Sequence, residues 1–207
     1  MTARLLALGD SYTIGEAVAP EERWPAQLRR RLAEAGIAIG EPEIIAVTGW
    51  TTGELAAGMD AAAPRGPRDL VSLLIGVNNQ YRGLDVGEYR AEFRALLARA
   101  IALAGNPRRV IVLSIPDWGV TPFAEGRDRA AIATGIDRFN AVNREEAAAA
   151  GARYVDVTAV SRRAAADASL TASDGLHPSG AMYAAWAELV LPHALAALEP
   201  HPIFPSS

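Results

Sequence analysis

The chain has 207 residues, half of them hydrophobic, and a formal charge of −4 at pH 7; this is enough apolar material for one domain with a sizeable core, and it gives no basic excess for a polyanion partner. It has no cysteine, which excludes disulfides and thiolate metal sites. All twenty basic residues are arginine, which excludes a Walker-type phosphate loop and any lysine Schiff-base enzyme.

In chain order, a strand is expected over 4–8, apolar without a break from Leu5 onward, as in a strand buried on both faces. The apolar stretch ending at Gly9 is too short for the hydrophobic region of a secretory leader, and no later stretch approaches the eighteen or so apolar residues of a bilayer span. A cytoplasmic protein that binds neither membrane nor nucleic acid is expected. Residues 24–35 carry Leu28 and Leu32 against an arginine-rich face, a helical pattern, with Gly36 placed to end it. Strands are expected over 43–47 and 70–75. Over 86–104, Tyr89, Phe93, Leu96, Leu97, Ala100 and Leu103 recur at helical spacing before Gly105. A fourth strand is expected over 109–115, a helix over 129–150 stopped by Gly151, and a fifth strand over 153–157. A last helix, over 179–198, is expected to open on Pro178, whose missing N–H costs nothing in a first turn.

Strands alternating with helices imply an α/β protein, a three-layer α/β/α sandwich around a five-stranded parallel sheet. One domain over 1–201 is expected, followed by a frayed tail at 202–207. In such sheets ligands bind beyond the carboxyl ends of the strands. Ser11, Gly49 and Asn78 each fall just after one of the first three expected strands, so three separate loops converge on that edge.

Chemistry enters with Gly9-Asp10-Ser11-Tyr12 near one end and Asp174-Gly175-Leu176-His177-Pro178 near the other. A serine hydroxyl needs a base within hydrogen-bond reach, and the base needs a third group that fixes its tautomer. Of the three histidines, His193 falls in a helical stretch and His201 in a proline-flanked tail, which leaves His177 as the candidate base. Taken singly, each motif has a plainer use. Asp10 and Ser11 could cap a helix, Gly76 to Asn79 could be an ordinary turn, and His177 could be a surface residue at a helix start.

Four blocks occur in order: Gly9-Asp10-Ser11, Gly49-Trp50-Thr51-Thr52, Gly76-Val77-Asn78-Asn79 and Asp174-Gly175-Leu176-His177. In these the chain resembles the GDSL-type, or SGNH, serine hydrolases, which have a flavodoxin-like fold. The resemblance implies a serine esterase that acts on small or short-chain acyl esters through an acyl-enzyme, with Ser11 as nucleophile, His177 as base and Asp174 as its orienter. It also implies an oxyanion hole made by the Ser11 N–H, the Gly49 N–H and the Asn78 side chain. Thioesterases, lysophospholipases, deacetylases and acyltransferases use the same site, and a non-catalytic module that holds a sugar or lipid is the alternative from another class. The Gly-x-Ser-x-Gly elbow of α/β-hydrolases is absent.

Two positions depart from the family pattern. Tyr12 stands where the leucine of the name is usual, and Trp50 follows Gly49 where a small or acidic residue is usual. Both could shape the acyl pocket or simply pack a loop on the sheet. Residues 116–123, with Trp118 and Phe123, are either a specificity loop or a structural cover for the sheet, and Tyr81 and Arg82 are expected to border the site. Three scattered histidines and no cysteine offer no ligand cluster of recognised spacing, so neither metal nor cofactor is expected. Nothing in the chain specifies an oligomeric state.

Overall fold

The computed structural model describes residues 2–199. Residue 1 and residues 200–207 lie outside the described residues, and with them His201 and the expected tail. Five strands, β1 (Leu5–Gly9), β2 (Glu43–Ala46), β3 (Leu70–Leu74), β4 (Val110–Leu113) and β5 (Arg153–Val155), form one parallel sheet in the order β2-β1-β3-β4-β5. The helices are α1 (Ser11–Ile14), α2 (Trp24–Glu34), α3 (Thr52–Ala62), α4 (Val77–Tyr81), α5 (Val86–Ala104), α6 (Arg129–Ala150), α7 (Thr158–Ser161) and α8 (Gly180–Leu198).

The topology sets the layers. From β1 the chain crosses through α2 to the edge strand β2, then reverses direction through α3, α5 and α6 across β3, β4 and β5. Right-handed crossovers running in opposite directions put their helices on opposite faces. Accordingly α2 packs with α8 on one side, while α3, α5 and α6 pack in sequence on the other. Every residue of β1, β3 and β4 is buried, as continuous apolar runs in a sheet covered on both faces require.

The strands are shorter than the apolar runs. Ile75, Ile115 and Val157 are fully buried but lie past the last ladder pair, because burial continues into the loops after pairing has stopped. Arg109 belongs to a 3₁₀ turn, Pro107–Arg109, and Val47 is exposed outside β2. Helix α8 starts one residue later than expected: the Ser179 hydroxyl accepts from the Met182 N–H at 3.4 Å, which makes Ser179 the cap and leaves Pro178 outside. Helix α2 ends at Glu34, and Gly36, at φ +86°, takes the chain out of it.

Helix α8 is also long and apolar enough to cross a membrane by length and composition, contrary to the expectation that no stretch approaches that limit. Here Tyr183, Trp186, Ala187, Val190 and Ala194 on this helix are buried against α2 and the sheet.

Candidate active site

Strand β1 delivers Asp10 and Ser11 to the carboxyl edge of the sheet. Asp10 caps the short helix α1 through its Oδ1, which accepts from the Tyr12 N–H at 3.0 Å. Ser11 is the first residue of that helix, so its own N–H has no intrahelical acceptor. Capping and a place in the site are therefore the same arrangement.

After β2 the chain turns sharply, with the Trp50 N–H donating to the Val47 carbonyl at 3.2 Å. Gly49, third in this turn, has φ +87°, a region that favours glycine. The Trp50 ring lies against Gly58 of α3, where even a Cβ would come within 2.2 Å of it, and it does not line the cavity described below. The expectation that Trp50 shapes an acyl pocket is thus not what the structure places there. What Trp50 offers the site is its carbonyl, which accepts from Asn78 Nδ2 at 2.9 Å.

Asn78 is the second residue of α4, and the helix can start there because Gly76 adopts φ +123° with the Tyr89 ring packed over it. Its neighbour Asn79 is buried and ties two loops together: Oδ1 accepts from the Thr52 N–H at 3.1 Å, and Nδ2 donates to the Thr52 hydroxyl at 2.7 Å. Asn79 has no role among the residues expected from sequence, although its place in the third block and the Thr51–Glu54 capping box of α3 are signals of a fixed junction.

The segment before α8 is a tight turn closed by Ala172 N–H to His177 carbonyl, 2.7 Å, and Gly175 N–H to Ala172 carbonyl, 3.0 Å. Asp174 Oδ1 accepts from the N–H groups of Leu176 and His177 at 2.9 and 3.0 Å, while Oδ2 lies 2.6 Å from His177 Nδ1. Burial by itself would raise the Asp174 carboxyl; the hydrogen bonds from the His177 ring and the two N–H groups outweigh it and hold the group below the usual carboxylate range. An imidazole engaged this way at Nδ1 carries its proton there and presents Nε2 as an acceptor.

A cavity of ≈ 170 Å³ opens among Ser11, Tyr12, Thr48, Gly49, Val77, Asn78, Tyr81, Trp118, Phe123, Leu176 and His177. Ser11, Gly49, Asn78 and His177, expected together, share its wall, and so do Tyr12, Tyr81, Trp118 and Phe123. His193 on α8 does not line it. Tyr12 is buried and meets the His177 ring edge-on, centroids 5.6 Å apart. Burial, with Asp10, Asp117 and Asp174 nearby, pushes its phenol well up, so Tyr12 stays neutral. Trp118 is held by an Nε1 bond to Gln80 Oε1 at 2.9 Å, and Arg127 lies 5.1 to 5.5 Å from the Tyr81, Trp118 and Phe123 ring centres. Among the described residues, the hydrogen bonds do not include one from Ser11 to His177, and no cluster of three or more His, Asp or Glu side chains could hold a metal.

The model of the GDSL-like lipase/acylhydrolase family matches residues 7–185, a span that contains all four blocks. The chain belongs to this family. It is accordingly a hydrolase of ester bonds. No curated protein matches the chain. Among solved structures it is similar to TesA, at 22% identity and TM-score 0.73, covering 94% of this chain and 99% of that one. It is similar too to the lipase/acylhydrolase from Enterococcus faecalis, at 23% identity and TM-score 0.70, covering 96% and 98%. A third is Axe2, an acetylxylan esterase from Geobacillus stearothermophilus, at 22% identity and TM-score 0.68, covering 93% and 94%. At these identities the likenesses establish the SGNH fold. In this family member, the departures at Tyr12 and Trp50 have different fates: Tyr12 reaches the cavity wall and Trp50 packs a loop.

Proposed function

We propose that this enzyme hydrolyses small or short-chain acyl esters through an acyl-enzyme on Ser11. The observation that carries the reading is the convergence of Ser11, Gly49, Asn78 and His177, from four separate segments, on one cavity, with the His177 ring already fixed by Asp174 at 2.6 Å. In the first step Ser11 Oγ attacks the acyl carbon as its proton passes to His177 Nε2. The tetrahedral oxyanion is met by the N–H groups of Ser11 and Gly49 and by the second Asn78 Nδ2 proton, the first being held by the Trp50 carbonyl. Collapse expels the alcohol, which takes the proton from the imidazolium; water then repeats the sequence and releases the acid. The Ser11–His177 bond is one the substrate complex must complete, as catalytic hydrogen bonds are often long in free enzymes.

The size of the cavity supports a small acyl group, since ≈ 170 Å³ falls below the roughly 300–1,000 Å³ of pockets that enclose drug-sized ligands. A panel of p-nitrophenyl esters from acetate to octanoate tests both parts. The wild type should prefer the short esters, and Ser11→Ala should abolish most of the rate, leaving at most the roughly 10³–10⁴ over water that binding and oxyanion donors supply. Undiminished turnover by Ser11→Ala would refute the mechanism.

A further inference from the structure

The turn that presents the Gly49 N–H is pinned at the two peptides that follow it. Arg82 Nη2 donates to the Gly49 carbonyl at 2.6 Å, and the N–H of the same peptide, from Trp50, donates to Val47 at 3.2 Å. In the next peptide, the Trp50 carbonyl accepts from Asn78 at 2.9 Å and the Thr51 N–H donates to Glu54 Oε2 at 2.7 Å. Glu54 in turn pairs with Arg82 Nη1 at 3.3 Å and accepts from the Thr51 hydroxyl at 2.9 Å. The Thr51 hydrogen bonds, with the charge of Arg82, hold the Glu54 carboxyl below its usual range, so it remains an anion at neutral pH. The two peptides after Gly49 are thus satisfied at both ends, whereas the Gly49 N–H has no acceptor among the described residues.

Glycine at this position is free to change the sign of φ, and a change of φ swings its N–H. Nothing in the residue itself opposes that motion. The restraint on its carbonyl comes from Arg82, which α4 delivers four residues after Asn78, so one short helix supplies one candidate oxyanion donor and clamps the other.

We infer that Arg82, anchored by Glu54, is a positioning residue that holds the Gly49 carbonyl, and through it the φ of Gly49, so that the Gly49 N–H points at the oxyanion. The inference rests on the oxyanion-hole reading proposed above. Arg82 holds the donor without touching the acyl group, so its loss lowers the chemical rate and leaves substrate affinity in place.

The test compares Arg82→Ala, Arg82→Lys, Glu54→Gln and Asn78→Ala with wild type, for kcat and KM on p-nitrophenyl acetate and for Tm. Arg82→Ala is expected to lower kcat by about 10–100-fold, the scale of a misplacement near 1 Å, with KM and Tm little changed. Arg82→Lys, which keeps one donor but not the two-pronged fork, should recover part of that loss. Should Arg82→Ala fail to fold, Arg82→Lys and Glu54→Gln carry the same comparison with smaller losses of kcat. Unchanged kcat in the Arg82 variants alongside a large loss in Asn78→Ala overturns this inference alone. Unchanged kcat in all four overturns the oxyanion-hole reading with it. A raised KM at unchanged kcat also overturns the inference, because it would make Arg82 a substrate contact.

Discussion

Asp10 directly precedes Ser11 and Asp174 holds the His177 ring, and their surroundings push these two carboxylates in opposite directions. Asp174 accepts three hydrogen bonds and stays ionised well into acid. Asp10 is fully buried, and that burial pushes it up to about 7, against the lowering effect of the Tyr12 N–H. The two shifts have opposite consequences for stability. The native state holds the Asp174 anion more firmly than the unfolded chain does, so its contribution is present above about pH 4 and is lost as pH falls through the lowered value. The native state binds the Asp10 proton more tightly than the unfolded chain, whose value is near 4. From about pH 4 to about 7 stability therefore falls on account of Asp10, and above that it is level. Asp10→Asn keeps an oxygen for the Tyr12 N–H and removes the titration. The melting temperature of wild type minus that of Asp10→Asn should accordingly be highest near pH 4 and decline towards pH 7. A difference that is constant across this range would mean that Asp10 is not held neutral by burial.

At the scale of elements, the loop after β4 is a built wall. Two 3₁₀ turns, Trp118–Val120 and Pro122–Ala124, are fastened by the Trp118–Gln80 bond, by the Phe123 N–H to the Gly175 carbonyl at 2.9 Å, and by Asp117, whose Oδ2 pairs with Arg162 Nε at 2.9 Å. Because Trp118 is buried and lines the cavity, Trp118→Ala should enlarge it and shift the kcat/KM profile towards longer acyl esters. An unchanged chain-length profile would take Trp118 out of the pocket. Elements of this molecule differ in how far they could be read from residues alone. Helices α5 and α6 are long and periodic, and they run as expected from Val86 to Ala104 and from Arg129 to Ala150. Helices α1, α4 and α7, at four or five residues, are too short to show a period, and caps and tertiary contacts define them. The four blocks were legible because each carries its chemistry in a few adjacent residues. The direction of the Trp50 ring was not, since it is set by the space over Gly58 in another element. Nor was the clamp at Gly49, which depends on an arginine 33 residues away.

For the molecule as a whole, the sheet order explains why residues far apart in sequence share a cavity. Parallel strands with crossovers in both directions bring the loops after β1, β2, β3 and β4 to one edge, and the turn before α8 closes over them. The core beneath is a single cluster that runs from β1 through the sheet into α2, α5 and α8. Leu8, fully buried in β1, lies in it and directly precedes the Gly9-Asp10-Ser11 block. Leu8→Ala should cost about 2–5 kcal/mol and lower the one cooperative melting transition as a unit. A second, separate transition would contradict a single core. Trapping Ser11 covalently shows whether it carries the acyl group. The enzyme is treated with a p-nitrophenyl alkylphosphonate, weighed intact, and digested after arginine, which releases peptide 5–23 containing Ser11. One phosphonyl group per chain is expected, located on Ser11, with activity lost in proportion to labelling. Labelling at another residue, or full activity in protein labelled at Ser11, would contradict it.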